Sequence, residues 1–178
     1  DTLAKIGAIS KIGVNRQALS AEDAAAQIEM TKWATELGLK ASRDDAGNFF
    51  IHYEGKNTEL APVYSGSHLD SQPTGGRFDG VFGVVAAFEA VQALIEAGLR
   101  PQHSIDVVAW MNEEGSRFAP GMMGSSTFSG DRTLAEIKQY KDVEGVTVEA
   151  ALLSTKAIIE QAVSQGVIPA MGHRRIGE

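Results

Sequence analysis

Residues 65–83 of the chain read Ser-Gly-Ser-His-Leu-Asp-Ser-Gln-Pro-Thr-Gly-Gly-Arg-Phe-Asp-Gly-Val-Phe-Gly. This stretch follows a short apolar run at residues 62–64 and precedes a helical pattern of apolar residues that starts near Val84. It contains one histidine, two aspartates and five glycines. Imidazole and carboxylate side chains are common ligands of divalent metals, and glycines let a loop fold back on itself. The stretch is therefore a candidate metal-binding loop.

The residues on either side of this loop predict a strand–helix–strand unit. Residues 61–67 are a short strand candidate. Apolar residues recur at helical spacing from Val84 to Ile95, and Gly98 ends this helix. Residues 105–111 read Ile-Asp-Val-Val-Ala-Trp-Met, which is typical of a strand covered on both faces. A helix that joins two strands of one sheet predicts that the strands are parallel.

This predicted βαβ unit brings ionisable side chains to one edge of a sheet. His68 and Asp70 follow the first strand, and Asp79 precedes the helix. Glu113 and Glu114 follow the second strand. Ligands of open α/β sheets bind beyond the carboxyl ends of the strands. Neighbouring carboxylates repel one another unless a cation is present, so the pattern predicts a divalent metal site.

Each residue also has an interpretation that needs no metal. Asp79 can cap the following helix, and the adjacent Glu113 and Glu114 can form a solvated strand end. A serine nucleophile is disfavoured because the chain lacks a Gly-x-Ser-x-Gly elbow. The glycine pair of the loop lacks the following Gly-Lys-Ser/Thr of a phosphate-binding loop. Joint placement of the acidic residues and the histidine at one edge favours the metal site.

The other elements are predicted from apolar spacing and helix caps. Helices are expected at residues 3–12, 20–38, 134–140 and 147–163. A strand is expected at residues 48–53, loops at 14–19 and 112–130, and no clear pattern from residue 164 to the end. No internal repeat or linker is visible, so a single structural unit is predicted.

The composition is that of a globular domain and restricts the partners. The chain has 178 residues, of which 43% are hydrophobic and 22% charged. A net charge of −7 disfavours binding to nucleic acid or to an anionic membrane surface. The absence of cysteine excludes disulfides and thiolate zinc sites. No apolar run approaches the roughly 20 residues that span a bilayer, and no signal peptide is visible, so a cytoplasmic location is expected.

Three motifs lie at the predicted sheet edge. They read Gly66-Ser67-His68-Leu69-Asp70-Ser71, Gly75-Gly76-Arg77-Phe78-Asp79-Gly80 and Asn112-Glu113-Glu114-Gly115-Ser116-Arg117-Phe118. These motifs, with 11 residues from His68 to Asp79 and 35 from Asp79 to Glu114, resemble the amidase (hydantoinase/carbamoylase) branch of the M20 metallopeptidase family. The branch includes N-carbamoyl-L-amino-acid hydrolases, yeast-type β-ureidopropionases and allantoate amidohydrolases. The resemblance extends over nearly the whole chain.

The resemblance implies an α/β fold, the three-layer α/β/α catalytic domain of zinc peptidases, with the βαβ unit carrying the site. It implies two divalent metal ions, either zinc, manganese, cobalt or nickel. His68 would bind one ion, Glu114 the other, and Asp79 would bridge both. Glu113 would be the general base acting on a metal-activated water, and Asp70 would orient His68.

The implied reaction cleaves the C–N bond of N-carbamoyl-L-amino acids or related ureido compounds. Allantoate amidohydrolase activity and aminoacylase-like or dipeptidase-like activity are the alternatives within the family. An inactive fragment or a binding module is the alternative from another class.

Two features of the family are missing from the chain. Its two further metal-binding histidines, one in a His-x-Glu-Gln-Gly segment, have no match, and His173 fits neither context. The inserted domain that dimerises and supplies substrate-binding residues is also missing. The resemblance therefore implies that residues 1–178 are the N-terminal part of the catalytic domain. Alone, this part is expected to bind metal weakly and to be inactive, whereas the complete enzyme is expected to be a homodimer acting on a small ureido or amide substrate.

Overall fold

The computed structural model describes residues 2–9 and 12–177 and contains the predicted mixture of strands and helices. The strands are β1 (Gly13–Val14), β2 (Lys40–Asp44), β3 (Phe49–Tyr53), β4 (Val63–Ser67), β5 (Gly75–Gly76), β6 (Ile105–Ala109) and β7 (Gly172–Arg174). The α-helices are α1 (Ala21–Glu36), α2 (Val81–Glu96), α3 (Met123–Ser129), α4 (Leu134–Ile137) and α5 (Val148–Ser164), and a 3-10 helix spans Leu3–Lys5. Within these residues, no helix has the length and apolar character needed to cross a membrane.

Side-chain caps begin the long helices α1 and α5 where the sequence predicts them. The Ser20 hydroxyl accepts a hydrogen bond from the Asp23 N–H at 3.1 Å. In return, the Asp23 carboxylate accepts from the Leu19 N–H at 2.9 Å. The Thr147 hydroxyl accepts from the Ala150 N–H at 3.1 Å. These bonds satisfy backbone donors that have no partner inside the first turn of a helix.

A five-stranded sheet with the order β4-β6-β3-β2-β7 forms the centre of the fold. Strands β4 and β6 are parallel, with Val63 opposite Ile105 and Ser67 opposite Ala109. Helix α2 connects them, which confirms the predicted βαβ unit. Strand β3 is antiparallel to both of its neighbours, and β7 is parallel to β2. The carboxyl ends of β4 and β6 therefore lie at the same edge of the sheet.

Alternating side chains of the sheet enter two different environments. On one face, helices α1 and α2 bury a core that includes Met30, Phe49, Ile51, Val84, Phe88 and Val107. On the other face, Phe50 and Trp110 contact Phe128 of α3, and the ring centroids of Trp110 and Phe128 are 5.0 Å apart. Strand β6 is thus covered on both faces, as its nearly continuous apolar sequence predicts. The α/β fold class is confirmed.

The helix predicted at residues 3–12 is wrong for the residues that the structure describes. Only Leu3–Lys5 is helical, and Gly7 has a positive φ of 77°. The Gly7 carbonyl accepts a hydrogen bond from the Asn15 N–H at 2.7 Å, so the segment folds back toward β1. The predicted helix also included Ser10 and Lys11, which lie outside the described residues. Helical spacing of Leu3, Ile6 and Ile9 was misleading because a long-range contact overrides it.

Other regions also differ from the sequence-based prediction. Residues 112–130, predicted as a loop, contain α3, and the tail predicted without pattern contains β7. The predicted loop at residues 14–19 begins with Val14 of β1, and the sequence predicts neither β2 nor β5. Strands β2 and β7 pair with each other, Ser42 opposite Gly172. A three-residue strand has too few residues to show a periodic pattern, so its pairing is visible only in the fold.

Candidate metal centre

The three side chains predicted as metal ligands converge at the carboxyl ends of β4 and β6. His68, Asp79 and Glu114 each offer one ligand atom, and these atoms all lie within 4.8 Å of one another. His68 is buried, Glu114 is half-buried and Asp79 is exposed. His68 follows β4, Asp79 precedes α2, and Glu114 lies beyond β6. The parallel strands and the crossover helix thus bring together residues that are far apart in sequence.

The His68 ring is oriented by the backbone of its own loop. Nδ1 lies 2.9 Å from the main-chain carbonyl oxygen of Asp70 and 3.6 Å from the nearer Asp70 carboxylate oxygen. The orienting group in the structure is thus the carbonyl, where the sequence had suggested the carboxylate. A proton on Nδ1 that is donated to this carbonyl leaves Nε2 as the ligand atom.

The electrostatic surroundings of His68 favour positive charge. Burial disfavours the imidazolium, but the hydrogen bonds and charge of Asp70, together with the charge of Glu113, outweigh burial and raise the pKa of His68 to about 9. The nearest carboxylate oxygen to Nε2 belongs to Glu113, at 3.2 Å. A site that stabilises a proton on Nε2 also stabilises another cation at that atom, because the same negative charges attract both.

The Asp70 carboxylate joins the two ligand-bearing loops. Its Oδ1 accepts from the Glu113 N–H and its Oδ2 from the Glu114 N–H, each at 3.3 Å. Asp70 is only 3% exposed, so these donors are its main compensation for lost water. The backbone on which Glu113 and Glu114 sit is thereby linked to the loop of His68.

Glu114 provides the observation that best tests whether a metal fits. Its Oε2 accepts from the Gln72 side-chain amide at 3.1 Å, whereas Oε1 is buried and has no hydrogen-bond partner among the described residues. A buried carboxylate oxygen without a partner is costly, and a cation held by His68, Asp79 and Glu114 would remove that cost. One imidazole nitrogen with two carboxylates suits zinc, manganese, cobalt or nickel. The residues fit a divalent metal.

Asp79 does not serve as the cap of α2. The N-cap residue is Gly80, with a φ of 66°, and no side chain caps the helix. A Cβ atom at position 80 would clash with the His68 imidazole. Glycine is therefore required here both for the backbone conformation and for the close approach of His68 to the start of α2.

The other histidines of the described residues lie outside this cluster. His52 contacts the Asp106 carboxylate at 2.8 Å, and His103 contacts the Ala61 carbonyl at 2.8 Å. The His173 side chain is 68% exposed and lies 3.5 Å from Asp45. His173 thus lies apart from His68, Asp79 and Glu114 in the structure.

Two arginines hold the ligand loops and were not singled out from the sequence. Arg16 is 1% exposed and donates to the Leu69 carbonyl at 2.7 Å. Arg117 donates to the Leu19 carbonyl at 2.8 Å. Arg117 lies inside the Glu-Glu-Gly-Ser-Arg-Phe motif, which offered a signal. Arg16 lies in a predicted loop, and no local pattern distinguishes a buried arginine from an exposed one.

Comparison with known proteins shows which family this chain belongs to and which proteins it is similar to. The sequence model of peptidase family M28 matches residues 48–167. An N-carbamoyl-L-amino-acid amidohydrolase of Rhizobium meliloti is 37% identical over 98% of this chain and 45% of its own length. An allantoate amidohydrolase of Bacillus subtilis is 33% identical over 84% of this chain and 36% of its own length.

A solved structure shares the fold. The crystal structure of a hydantoinase/carbamoylase family amidase from Burkholderia ambifaria superposes with a TM-score of 0.85 and 42% identity, over 87% of this chain and 38% of that one. This chain therefore spans less than half the length of these relatives. The family matched by the sequence model is M28, whereas the motifs had suggested M20; the matched relatives are named as amidohydrolases and amidases.

Proposed function

We propose that this chain, which belongs to peptidase family M28 by a family model that matches residues 48–167, is the metal-binding part of an amidohydrolase. Its motifs resemble the hydantoinase/carbamoylase branch of M20. The proposed reaction cleaves the C–N bond of N-carbamoyl-L-amino acids or related ureido compounds. The observation that carries the proposal is the cluster of His68, Asp79 and Glu114 within 4.8 Å, in a chain whose relatives are named amidohydrolases.

His68, Asp79 and Glu114 would hold a divalent metal through Nε2 and the two carboxylates. When bound, such a metal polarises a substrate carbonyl and makes water a better nucleophile. The unpartnered Glu114 Oε1 supports this role. In the complete enzyme, His68 and Asp79 would be ligands of one ion, and Asp79 and Glu114 would be ligands of a second.

Glu113 is the proposed general base. Its Oε2 lies 3.2 Å from His68 Nε2, and its side chain is 34% exposed, so it is next to the ligand cluster and open to a substrate. In the proposed step Glu113 takes a proton from the attacking water and delivers it to the leaving nitrogen. Addition of one water to a carbamoyl amino acid then gives the amino acid, carbon dioxide and ammonia.

Asp70 is proposed as a positioning residue for both loops. Its carbonyl would hold the His68 ring, and its carboxylate would hold the backbone of Glu113 and Glu114. These contacts, at 2.9 Å and at 3.3 Å, support the role.

Residues 1–178 are proposed to be the N-terminal part of the catalytic domain of a longer polypeptide. The chain's share of its relatives, 45% or less in the three comparisons above, supports this assignment. The remaining metal ligands, the substrate-binding residues, the homodimer interface and a cytoplasmic location belong to the same proposal. The part alone would bind metal weakly and would not turn over substrate, because an incomplete set of ligands holds metal poorly.

Two other substrate classes follow from specific observations. The allantoate amidohydrolase among the relatives favours allantoate, and the match to a peptidase family favours peptide or acylated amino acid bonds. A panel of N-carbamoyl-L-amino acids, allantoate and dipeptides separates these classes when the complete polypeptide is assayed.

The test of the proposal is metal-dependent ammonia release. The complete polypeptide is stripped with a chelator, reloaded with zinc or manganese, and assayed with an N-carbamoyl-L-amino acid. We expect no ammonia from the stripped protein and recovery on reloading. Full activity without metal would contradict the proposal, and hydrolysis restricted to dipeptides would shift it to the peptidase alternative. Metal-dependent turnover by residues 1–178 alone would contradict the expected inactivity of the part.

A further inference from the structure

The two loops that carry the ligand cluster both rest on one short segment. Ligand loop 1, residues 68–80, contains His68 and Asp79, and ligand loop 2, residues 110–120, contains Glu114. The segment of residues 13–19 passes between the N-terminal 3-10 helix and α1, and we refer to it as the brace. Its contacts to the two loops are of different kinds.

Backbone bonds attach the brace to ligand loop 1. Strand β1 in the brace pairs with β5 in the loop, with Gly13 opposite Gly76 and Val14 opposite Gly75. Further along, the Ser71 N–H donates to the Arg16 carbonyl at 2.8 Å, and the Arg16 N–H donates to the Ser71 hydroxyl at 2.9 Å. The loop is thus held at two places between His68 and Asp79.

The Arg16 side chain adds a third attachment to the same loop. It is 1% exposed, and its Nε donates to the Leu69 carbonyl, next to His68, at 2.7 Å. Its Nη1 donates to the Leu3 and Ile6 carbonyls, each at 2.9 Å. Burial of a guanidinium is costly, and apolar residues often replace buried charges at no loss of stability. A role in placing the loop explains why a charge is used here.

Arg117 attaches ligand loop 2 to the other end of the brace. Its Nη1 donates to the Ala18 carbonyl at 3.0 Å and to the Leu19 carbonyl at 2.8 Å. Its Nε is held by the Asp142 carboxylate at 3.1 Å. Arg117 is three residues beyond Glu114, so its position restricts where the Glu114 backbone can lie.

Direct hydrogen bonds between the loops measure 3.1–3.4 Å, including the bond from the Gln72 amide to Glu114, and are longer than the arginine bonds to the brace. The Asp70 carboxylate accepts from the Glu113 and Glu114 N–H groups at 3.3 Å, beyond the usual range of about 2.7–3.2 Å for such bonds. The arginine side-chain bonds to the brace and to ligand loop 1 measure 2.7–3.0 Å. We infer that Arg16 and Arg117 are positioning residues that act through the brace to set the separation of His68 and Asp79 from Glu114.

This inference rests on the proposed metal site and predicts an effect on metal affinity. Residues that hold metal ligands in place typically change affinity by roughly 10- to 100-fold when they are replaced. Lysine keeps the positive charge but lacks the planar set of donors. The variants Arg16→Lys and Arg117→Lys therefore test positioning with little change of net charge.

Arg174→Lys is the matched control. Arg174 is a largely buried arginine that donates to the two Asp106 carboxylate oxygens at 2.7 and 2.8 Å, and these bonds reach neither ligand loop. Its replacement is expected to lower stability without changing the ligand loops. Zinc affinity is measured by competition with a chromogenic chelator, and stability by urea unfolding. Amide hydrogen exchange at Glu113 and Glu114 is compared with exchange at Val107 in the core.

We expect Arg16→Lys and Arg117→Lys each to weaken zinc binding by about tenfold or more. Exchange at Glu113 and Glu114 should rise relative to Val107 in both variants. Arg174→Lys should bind zinc within about twofold of the unchanged chain, although its urea midpoint falls. Unchanged zinc affinity and unchanged relative exchange in the first two variants would overturn the inference, as would an equal affinity loss in Arg174→Lys.

The proposed function can fail separately. If the unchanged chain binds no zinc, the metal site is contradicted. The amide exchange rates alone then test whether Arg16 and Arg117 position the ligand loops through the brace. Selective loss of protection at Glu113 and Glu114 supports it, and uniform loss across the chain overturns it.

Discussion

At His68, the start of α2 comes so close that position 80 has no room for a side chain. Gly80 faces the imidazole ring, and any Cβ there would displace it. The backbone at Gly80 also has a φ of 66° and a ψ of −52°, a sparsely populated conformation that costs other residues about 1–3 kcal/mol. A side chain at position 80 would therefore cause both backbone strain and a steric clash. Gly98 has a positive φ and open space around it, so its replacement measures the strain alone.

We predict that Gly80→Ala lowers zinc affinity by at least about tenfold, as expected when a residue holding a ligand is disturbed. Gly98→Ala is the control because Gly98 has a φ of 65° and nothing within 4 Å of an added Cβ. Both variants should lose about 1–3 kcal/mol of unfolding free energy to backbone strain, and Gly80→Ala should lose more because of the added clash with His68. Urea unfolding and chelator competition measure the two effects. Equal zinc affinity in the two variants would show that His68 is not a ligand.

Glu113 is the residue whose replacement separates chemistry from metal binding. In the complete polypeptide, Glu113→Gln should lower kcat by about 100-fold or more, because an amide cannot accept the proton. Metal content, measured by atomic emission, should stay nearly unchanged, since Glu113 is not in the ligand cluster. Glu160→Gln, at an exposed ion pair with Lys156, is the control and should keep full activity. Survival of activity within tenfold would refute the general-base assignment.

At the scale of elements, β7 is held to the sheet by a buried ion pair as well as by backbone pairing with β2. Arg174 of β7 binds Asp106 of β6, which is 1% exposed and also contacts His52. Burial alone would raise the pKa of Asp106, but hydrogen bonds from Arg174 and His52 and their charges outweigh it and lower the pKa. The ionised carboxylate therefore stabilises the folded chain.

We predict that Asp106→Asn lowers the unfolding free energy by about 3 kcal/mol near pH 7, because it leaves Arg174 without a charged partner. The contribution of Asp106 is fully present well above its unfolded pKa of about 3.9 and disappears as pH falls through the lower folded pKa. The difference in unfolding free energy between the unchanged chain and the variant, measured in urea, should thus be present near pH 5 and shrink toward pH 3. A difference that does not depend on pH would contradict this role.

The matched control for this prediction is Glu54→Gln. Glu54 forms an exposed ion pair with Arg100, and such pairs contribute less than about 1 kcal/mol. If Glu54→Gln lowers the unfolding free energy as much as Asp106→Asn does, the destabilisation comes from the change in net charge and not from the buried ion pair.

The elements that could be predicted from the sequence are those whose signal is local. Helices α1, α2 and α5 have apolar stripes within their own residues, α1 and α5 also have side-chain caps, and β6 is a nearly continuous apolar run. Strands β1 and β7 could not be predicted, because two or three residues contain no period and their partners lie far away in the chain. The N-terminal segment failed for a similar reason, since contact with Asn15 overrides its helical spacing.

At the scale of the whole molecule, the convergence of His68, Asp79 and Glu114 could be predicted because one βαβ unit contains all three residues. Parallel pairing of β4 and β6 places the residues after each strand at one edge, so spacing and residue type predict that the histidine and the carboxylates meet there. The choice of His68, Asp79 and Glu114 as the ligands comes from the resemblance to the family. The supporting residues were not predictable in the same way. Arg16 acts from a separate segment whose position depends on the pairing of β1 with β5.

The most direct test of the metal centre is a zinc titration of the purified 178-residue chain, in competition with a chromogenic chelator. We predict weak binding of one zinc ion. The zinc affinity should fall by at least about tenfold in His68→Ala and in Glu114→Gln. His173→Ala, which removes an exposed histidine outside the cluster, should leave the affinity unchanged. Absence of zinc binding, or an equal loss in His173→Ala and His68→Ala, would contradict the central claim that His68, Asp79 and Glu114 form a metal site.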